Sequence, residues 1–211
     1  MKNADKIKED NEQDWQGINT SDFIYIVHTD NCSVTISEYK GKGGSVIIPA
    51  LIGCKLVTDI DFHAFEKCTS LTCVTIPNTV IRIGYGVFYE CTSLTVVTIP
   101  DSVTSIGSGA FFDCTSLTGI IIPDSVTRIG TFAFACCENL TGITIPNSVK
   151  EIGGMAFNGC ESLTKVTFER ADTVIDNFNA FPGGKSLQTA YLARGAGTYT
   201  RRSGNDKWKK K

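Results

Sequence analysis

Nine cysteines and two histidines are the side chains of this 211-residue sequence whose types invite chemistry. Five of the thiols, Cys68, Cys91, Cys114, Cys137 and Cys160, recur every 23 residues; Cys32, Cys54, Cys73 and Cys136 fall off that column. A zinc site needs four Cys or His ligands converging, and the compact CxxC pairs that usually bring them together are absent. Cys136 and Cys137 are adjacent, so they face opposite ways and cannot easily share an ion. A nucleophilic cysteine needs a polarised pocket that lowers its pKa and a base beside it. His63, five residues before Cys68, is the nearest base to any thiol of the column, and a half-exposed histidine above a buried cysteine is the simpler account of it. Asp101 and Asp124 align with Asn78 and Asn147 in a turn column, which is no acid/base pair, and every glycine pattern follows the 23-residue period. The sequence gives no case for an enzyme, a metal or a cofactor.

What positions the thiols is a repeat. Residues 94–116 read LTVVTIPDSVTSIGSGAFFDCTS, and 71–93, 117–139 and 140–162 are close copies flanked by two degenerate ones, about six units in all. Self-similarity at this period marks a solenoid, in which each unit buries its apolar face only against its neighbours. Each unit opens with alternation: Leu94, Val97 and Ile99 inward, Val96 and Thr98 outward, ended by Pro100, which has no N–H for a ladder. Asp101 and Ser102 supply turn chemistry. Val103 and Ile106 begin a second short extended piece, closed by a glycine column at Gly84, Gly107, Gly130 and Gly153, where a left-handed or crowded backbone is expected. Ile106, Ala110, Phe111 and Cys114 fall on one face of a short helix or helical turn. Stacked at roughly 4.8 Å, the first strands form a parallel sheet along one side. The five-membered cysteine column then reads as a buried ladder of free thiols, small packing residues with a weak donor.

The pattern LTxVTIPxSVxxIGxxAFxxCxSL resembles the BspA-like class of leucine-rich repeat, found largely in bacterial surface proteins and shared with treponemal leucine-rich repeat proteins. The lead-in ISEYKGKGGSVIIPALIGCKLVTDIDFHAF is similar to the entry into that family's first repeat, and YLARGAGTYTRRSGNDKWKKK to a C-terminal cap of spirochaete members. The resulting expectation is an α/β repeat: a leucine-rich-repeat solenoid with a parallel sheet on the concave side, short helical turns, and capping hairpins at both ends. Residues 1–21 read as a flexible polar segment and 22–211 as one domain, with an N-terminal cap at 22–44, repeats at 45–186 and a C-terminal cap at 187–211. The hairpins are placed at DFIYIVHTDNCSVTIS and around Ser203 to Asp206, with Trp208 shielding the last coil.

A net charge of −2 argues against a broadly basic nucleic-acid binder, and no apolar run approaches a transmembrane length. Residues 1–21 show no secretory signal, which points to the cytoplasm, whereas the resemblance points to the cell surface or secretion. Function must then lie on an outer face. The outward strand positions, Cys73 and Thr75, Val96 and Thr98, Gly119 and Ile121, Gly142 and Thr144, Lys165 and Thr167, form a nearly uncharged strip suited to a protein or an extended peptide. Good strand formers would also look like this. Other outward features are the turn edge (Arg82, Thr104, Arg128, Lys150), the aromatics Tyr85, Tyr89, Phe112 and Phe132, and a basic C-terminus from Arg194 to Lys211. The leading expectation is a non-enzymatic protein-binding scaffold that uses the concave sheet; the resemblance implies adhesion to a host matrix protein or another cell surface. The alternative is an intracellular structural or self-associating module.

Overall fold

The computed structural model describes residues 20–176, 179–183, 185–202 and 206–211. Most of the N-terminal polar segment and the tip of the second expected hairpin (residues 203–205) lie outside the described residues. After a single 3-10 turn, the chain forms β1 (Phe23–Val27), β2 (Ser33–Tyr39), β3 (Gly44–Ile47), β4 (Leu51–Ile52) and β5 (Lys55–Ile60). The coils follow as β6 (Leu71–Thr75), β7 (Arg82–Ile83), β8 (Val96–Thr98), β9 (Ser105–Ile106), β10 (Arg128–Ile129), β11 (Gly142–Ile145), β12 (Glu151–Ile152), β13 (Lys165–Phe168) and β14 (Val174–Ile175). The chain ends with α1 (Ser186–Arg194), β15 (Gly197–Thr200) and β16 (Lys209–Lys210).

Apolar columns hold the stack together. Phe65, Phe88, Phe111, Phe134, Phe157 and Phe181 form a buried spine with ring centroids 4.9 to 5.3 Å apart, and the rings from Phe88 onward lie within 13° of parallel. That spacing is one coil of a parallel ladder, so each phenylalanine packs on its counterpart in the next unit. Leu94, Val97, Ile99, Val103 and Ile106 are buried, while Val96 and Thr98 are exposed, as the alternation requires. One continuous core cluster runs from Phe23 to Trp208. The architecture is a β-solenoid of about six turns with parallel sheet and few helices.

Two features differ from the sequence expectation, and a third decides between its two alternatives. First, the longest sheet is built from the short second pieces, not from the first strands. β5, β7, β9, β10, β12 and β14 pair in parallel without a break, and β1–β2 extend that sheet at one end. The first strands split into β3-β6-β8 and β11-β13-β15-β16. Second, the segments carrying the phenylalanines are turns, and α1 is the only α-helix among the described residues. Each turn segment holds two left-handed residues four apart: His63 and Lys67, Gly86 and Glu90, Gly109 and Asp113, Phe132 and Cys136, Met155 and Gly159. A right-handed helix cannot contain them. Their alternate N–H groups instead reach the next coil, Gly86 to the Ser108 carbonyl (2.9 Å), Phe88 to Ala110 (2.8 Å) and Glu90 to Phe112 (2.8 Å). Third, Gly107, Gly130 and Gly153 have ordinary backbone angles; close approach is what demands them. A Cβ on Gly107 would lie 2.3 Å from the Gly84 carbonyl oxygen, and one on Gly130 2.5 Å from the Ser108 nitrogen.

Serine chemistry also runs between coils: Ser102 Oγ donates to the Val80 carbonyl and Ser125 Oγ to Val103, each at 2.6 Å. At the far end, the buried Arg201 donates to the carbonyls of Leu163 (2.6 Å), Glu161 (3.1 Å) and Cys160 (3.3 Å). Its guanidinium lies 5.1 Å from the Trp208 ring, whose Nε1 donates to the Pro182 carbonyl. β15 pairs antiparallel with β13 and with β16.

Candidate functional site

The thiol column does structural work. Cys91 donates to the Phe65 carbonyl (3.0 Å), Cys114 to Phe88 (3.2 Å), Cys137 to Phe111 (3.2 Å) and Cys160 to Phe134 (3.0 Å). Each sulfur therefore gives a second hydrogen bond to the carbonyl of the phenylalanine one coil back, which already accepts the N–H of its own coil's cysteine, as Phe65 does from Cys68 at 3.2 Å. All four are fully buried, and Cys68, at the column's start, is half-buried. Burial pushes the Cys91 thiol up to about 12 and holds Cys114 and Cys137 well above the ordinary thiol range. A thiol so hard to ionise is the reverse of an activated nucleophile. No disulfide joins any of the nine cysteines. Cys136 is half-exposed while Cys137 turns into the core, so the adjacent pair does not converge. Iodoacetamide is expected to modify the exposed Cys32 and Cys54 within minutes in the native protein and to leave Cys91, Cys114, Cys137 and Cys160 unlabelled until denaturant is added. Peptide mass mapping reads the result, and rapid native labelling of Cys114 would refute the buried ladder.

His63 sits 2.9 Å from a Glu66 carboxylate oxygen and edge-on to Phe62 and Tyr85. His28 shows a grouping that the sequence reading did not single out. Its Nδ1 lies 2.8 Å from Ser33 Oγ and its Nε2 2.6 Å from Thr35 Oγ1, while Ser33 Oγ donates to Asp30 at 2.8 Å. Serine, histidine and aspartate are together, but the aspartate bonds the serine instead of orienting the imidazole, so the relay of a triad is missing. Asp30 also accepts from the Cys32 and Ser33 N–H groups, and these bonds hold its carboxyl below the usual carboxylate range. The group ties the turn between β1 and β2. Among the described residues no three side chains are placed to hold a metal ion, and no helix is long and apolar enough to cross a membrane.

The strand face holds a groove of about 770 Å³. It is lined by Val96 and Thr98 of β8, by Gly119 and Ile121, and by Gly142, Thr144 and Lys165 of the coils that follow. Its centre is the coil between β8 and β11, where residues 117–122 form no strand. Among the described residues, the N–H groups of Gly119, Ile120, Ile121 and Ile122 have no main-chain acceptor. Gly119 stands where β6 has Cys73 and β8 has Val96, but Gly142 holds the same place in the paired strand β11, so glycine at this position does not by itself break the ladder. Nothing lies within 4 Å of a Cβ built on Gly119, and Ile121 is 82% exposed, the most exposed large apolar side chain of the chain's described residues.

The expected strip is thus divided. Cys73 and Thr75 sit half-buried on β6, outside the groove. Thr167 pairs with Thr198 of β15, Oγ to Oγ 3.0 Å. Asp124, Pro146 and Glu169 also line the groove and were not in the strip. They follow the strands instead of alternating within them, so period-two counting passes over them.

The repeat, its register and its columns agree with a family model for the BspA type leucine rich repeat region, which matches residues 58–188 in six copies. The chain belongs to that family, whose repeats generally serve as non-enzymatic protein-interaction scaffolds. Its structure is similar to that of a Treponema pallidum leucine rich repeat protein, 38% identical, with 70% of this chain and 69% of that one covered at a TM-score of 0.68. It is also similar to a leucine-rich repeat protein of Bacteroides ovatus, 30% identical over 76% of this chain and 41% of that one, at a TM-score of 0.64. The pneumococcal vaccine antigen PcpA, 21% identical over 68% of this chain and 37% of that one, shares the fold at a TM-score of 0.55. No protein of curated function matches the sequence.

Proposed function

We propose that residues 22–211 act as one non-enzymatic scaffold that holds a protein partner in the groove around Ile121, in an adhesion or cell-surface role. The observation that carries this reading is the interrupted ladder. Five coils keep their strand pairing, and the one that loses it exposes an isoleucine in a groove of about 770 Å³, beside four N–H groups that have no main-chain acceptor among the described residues. Local departure from an otherwise consistent pattern is where function is to be sought. A groove lined by exposed Ile121 together with Asp124, Lys165 and Glu169 suits an extended peptide segment, whose apolar side chain covers Ile121 and whose carbonyls reach N–H groups of the unpaired coil. The surface role rests on membership of a family found largely in bacterial surface proteins. The carboxylates in the groove and the shortage of basic groups argue against nucleic acid.

The test is a set of exposed substitutions. Ile121→Glu, Thr98→Lys and Thr144→Glu are expected to leave folding stability within about 0.5 kcal/mol. Ile121→Glu is expected to weaken a partner captured from host matrix or cell-surface extracts by about 1–3 kcal/mol. Titration of that partner against each variant decides it, and undiminished affinity for all three removes the site from the groove. Protease treatment of intact cells separates the surface role, since a chain protected until lysis cannot serve in adhesion.

A further inference from the structure

We infer that a second copy of this chain docks on β1, the two strands pairing antiparallel about a two-fold axis through Tyr25. This surface belongs to the long sheet and is separate from the groove around Ile121, so either reading can fail without the other.

β1 ends the long sheet: β2 pairs with one side of it and, among the described residues, no strand lies on the other. Its sequence, FIYIV, is uncharged, and Ile24, Tyr25, Ile26 and Val27 are all between 40 and 54% exposed. An apolar edge of this length offers open N–H and C=O groups with nothing to repel another strand, and proteins normally guard such edges with charge, proline, a bulge or brevity. The register shift beside Ile24 and Tyr25 leaves Ser37 of β2 as the extra residue, so β1 itself stays regular.

Two other ends are guarded. β14, at the far edge of the same sheet, has two residues, and β16, at the end of the shorter sheet, consists of Lys209 and Lys210. A head-to-tail stack would bring β1 against one of these poor edges, whereas a two-fold contact brings two good edges together and closes. Centred on Tyr25, the pairing sets Phe23 against Val27 and Ile24 against Ile26 of the second copy. No charge enters it, because the strand has none. Beyond the strand, Asp22 comes opposite His28 of the second copy, so no like charges meet there either.

Size sets the strength. A stable interface buries about 1,200–2,000 Å², more than a five-residue edge supplies. Phe62 and Tyr85, 63% and 56% exposed, share a shallow groove with Ile26, but they follow β5 and β7, on the far side of β2 from the open edge, and add no area to the pairing. The expected complex is a weak dimer that forms in the micromolar range.

Sedimentation velocity of the full chain from low micromolar to near-millimolar concentration reads the dimer directly. Ile24→Lys and Ile26→Lys, both on exposed positions, are expected to raise the dissociation constant at least about tenfold while circular dichroism and the unfolding midpoint stay unchanged. A photo-crosslinking residue at position 25, in a mixture of ¹⁵N-labelled and unlabelled chains, should join labelled to unlabelled β1. A monomer at every concentration, a dimer indifferent to both lysines, or crosslinks confined to residues 1–19 of the same chain would each overturn the inference.

Discussion

Gly107→Ala is expected to destabilise the protein by about 3 kcal/mol, the upper end of the usual overpacking cost, and Gly119→Ala to leave stability unchanged or raise it by up to about 1 kcal/mol. The two substitutions add the same methyl group to backbones with ordinary angles. At Gly107 the new carbon would lie 2.3 Å from the Gly84 carbonyl oxygen and 2.5 Å from its carbon. Those are main-chain atoms of the adjoining coil, fixed by the pairing of β7 with β9, so the methyl can be accommodated only by prising the coils apart. At Gly119 no atom lies within 4 Å. Urea denaturation monitored by circular dichroism compares the two. Equal losses for both would mean that coil-to-coil approach is not what selects glycine in the column.

Stability is expected to fall steeply in alkali, beginning near the ordinary thiol pKa. Cys91 titrates at about 12 in the folded chain, and Cys114 and Cys137 are also raised well above their ordinary value, burial being the first cause in each case. In the unfolded chain these thiols ionise near about 8.5. The folded-state values are raised, so the stabilising contribution is complete below the unfolded pKa and is lost as pH climbs toward the folded one. Within that window the unfolded state has released protons that the folded state keeps. Each buried thiol then costs on the order of 1.4 kcal/mol per pH unit, and the three together about 4 kcal/mol per unit. A domain of ordinary stability, about 5–15 kcal/mol, should unfold within a few pH units above that threshold. Urea midpoints measured between about pH 8 and 10 separate this from tyrosine ionisation, which begins near about 10. Cys114→Ala should flatten the slope by about a third. A midpoint that stays level across that range would show that these sulfurs ionise as readily folded as unfolded, and the buried ladder would be wrong.

The family, the period, the inward and outward alternation of the first strand and the repeated phenylalanine were legible in the sequence because every unit states them again. A column such as Val80, Val103, Val126 and Val149 carries one burial instruction four times, and the coordinates bury all four. The turns were misread as helical for a definite reason. Ile106, Ala110, Phe111 and Cys114 do share one inward face, but offsets of four, five and eight are produced equally by successive turns with left-handed residues between them. Gly109 and Asp113 are those residues, and left-handed geometry at an aspartate has no sequence mark strong enough to announce it. The hydroxyl of Ser102 was assigned to its own turn because local bonds are what a single strand of sequence suggests, whereas its acceptor lies one coil away.

The groove was half visible. Gly119 and Ile121 stand in the outward strip by alternation alone, but nothing in counting shows that β8 and β11 fail to connect through them, or that Asp124 and Glu169 line the same groove. The sequence by itself determined that coils would form and which side chains they would bury, since those choices are made within one unit and repeated. Which of two extended pieces carries the unbroken ladder, where the other is interrupted and which edge is left open were decided only in the tertiary structure. Hydrogen bonding between coils depends on the distance and register of two units at once, and a junction that opens while its neighbours hold can be recognised only when both are in place.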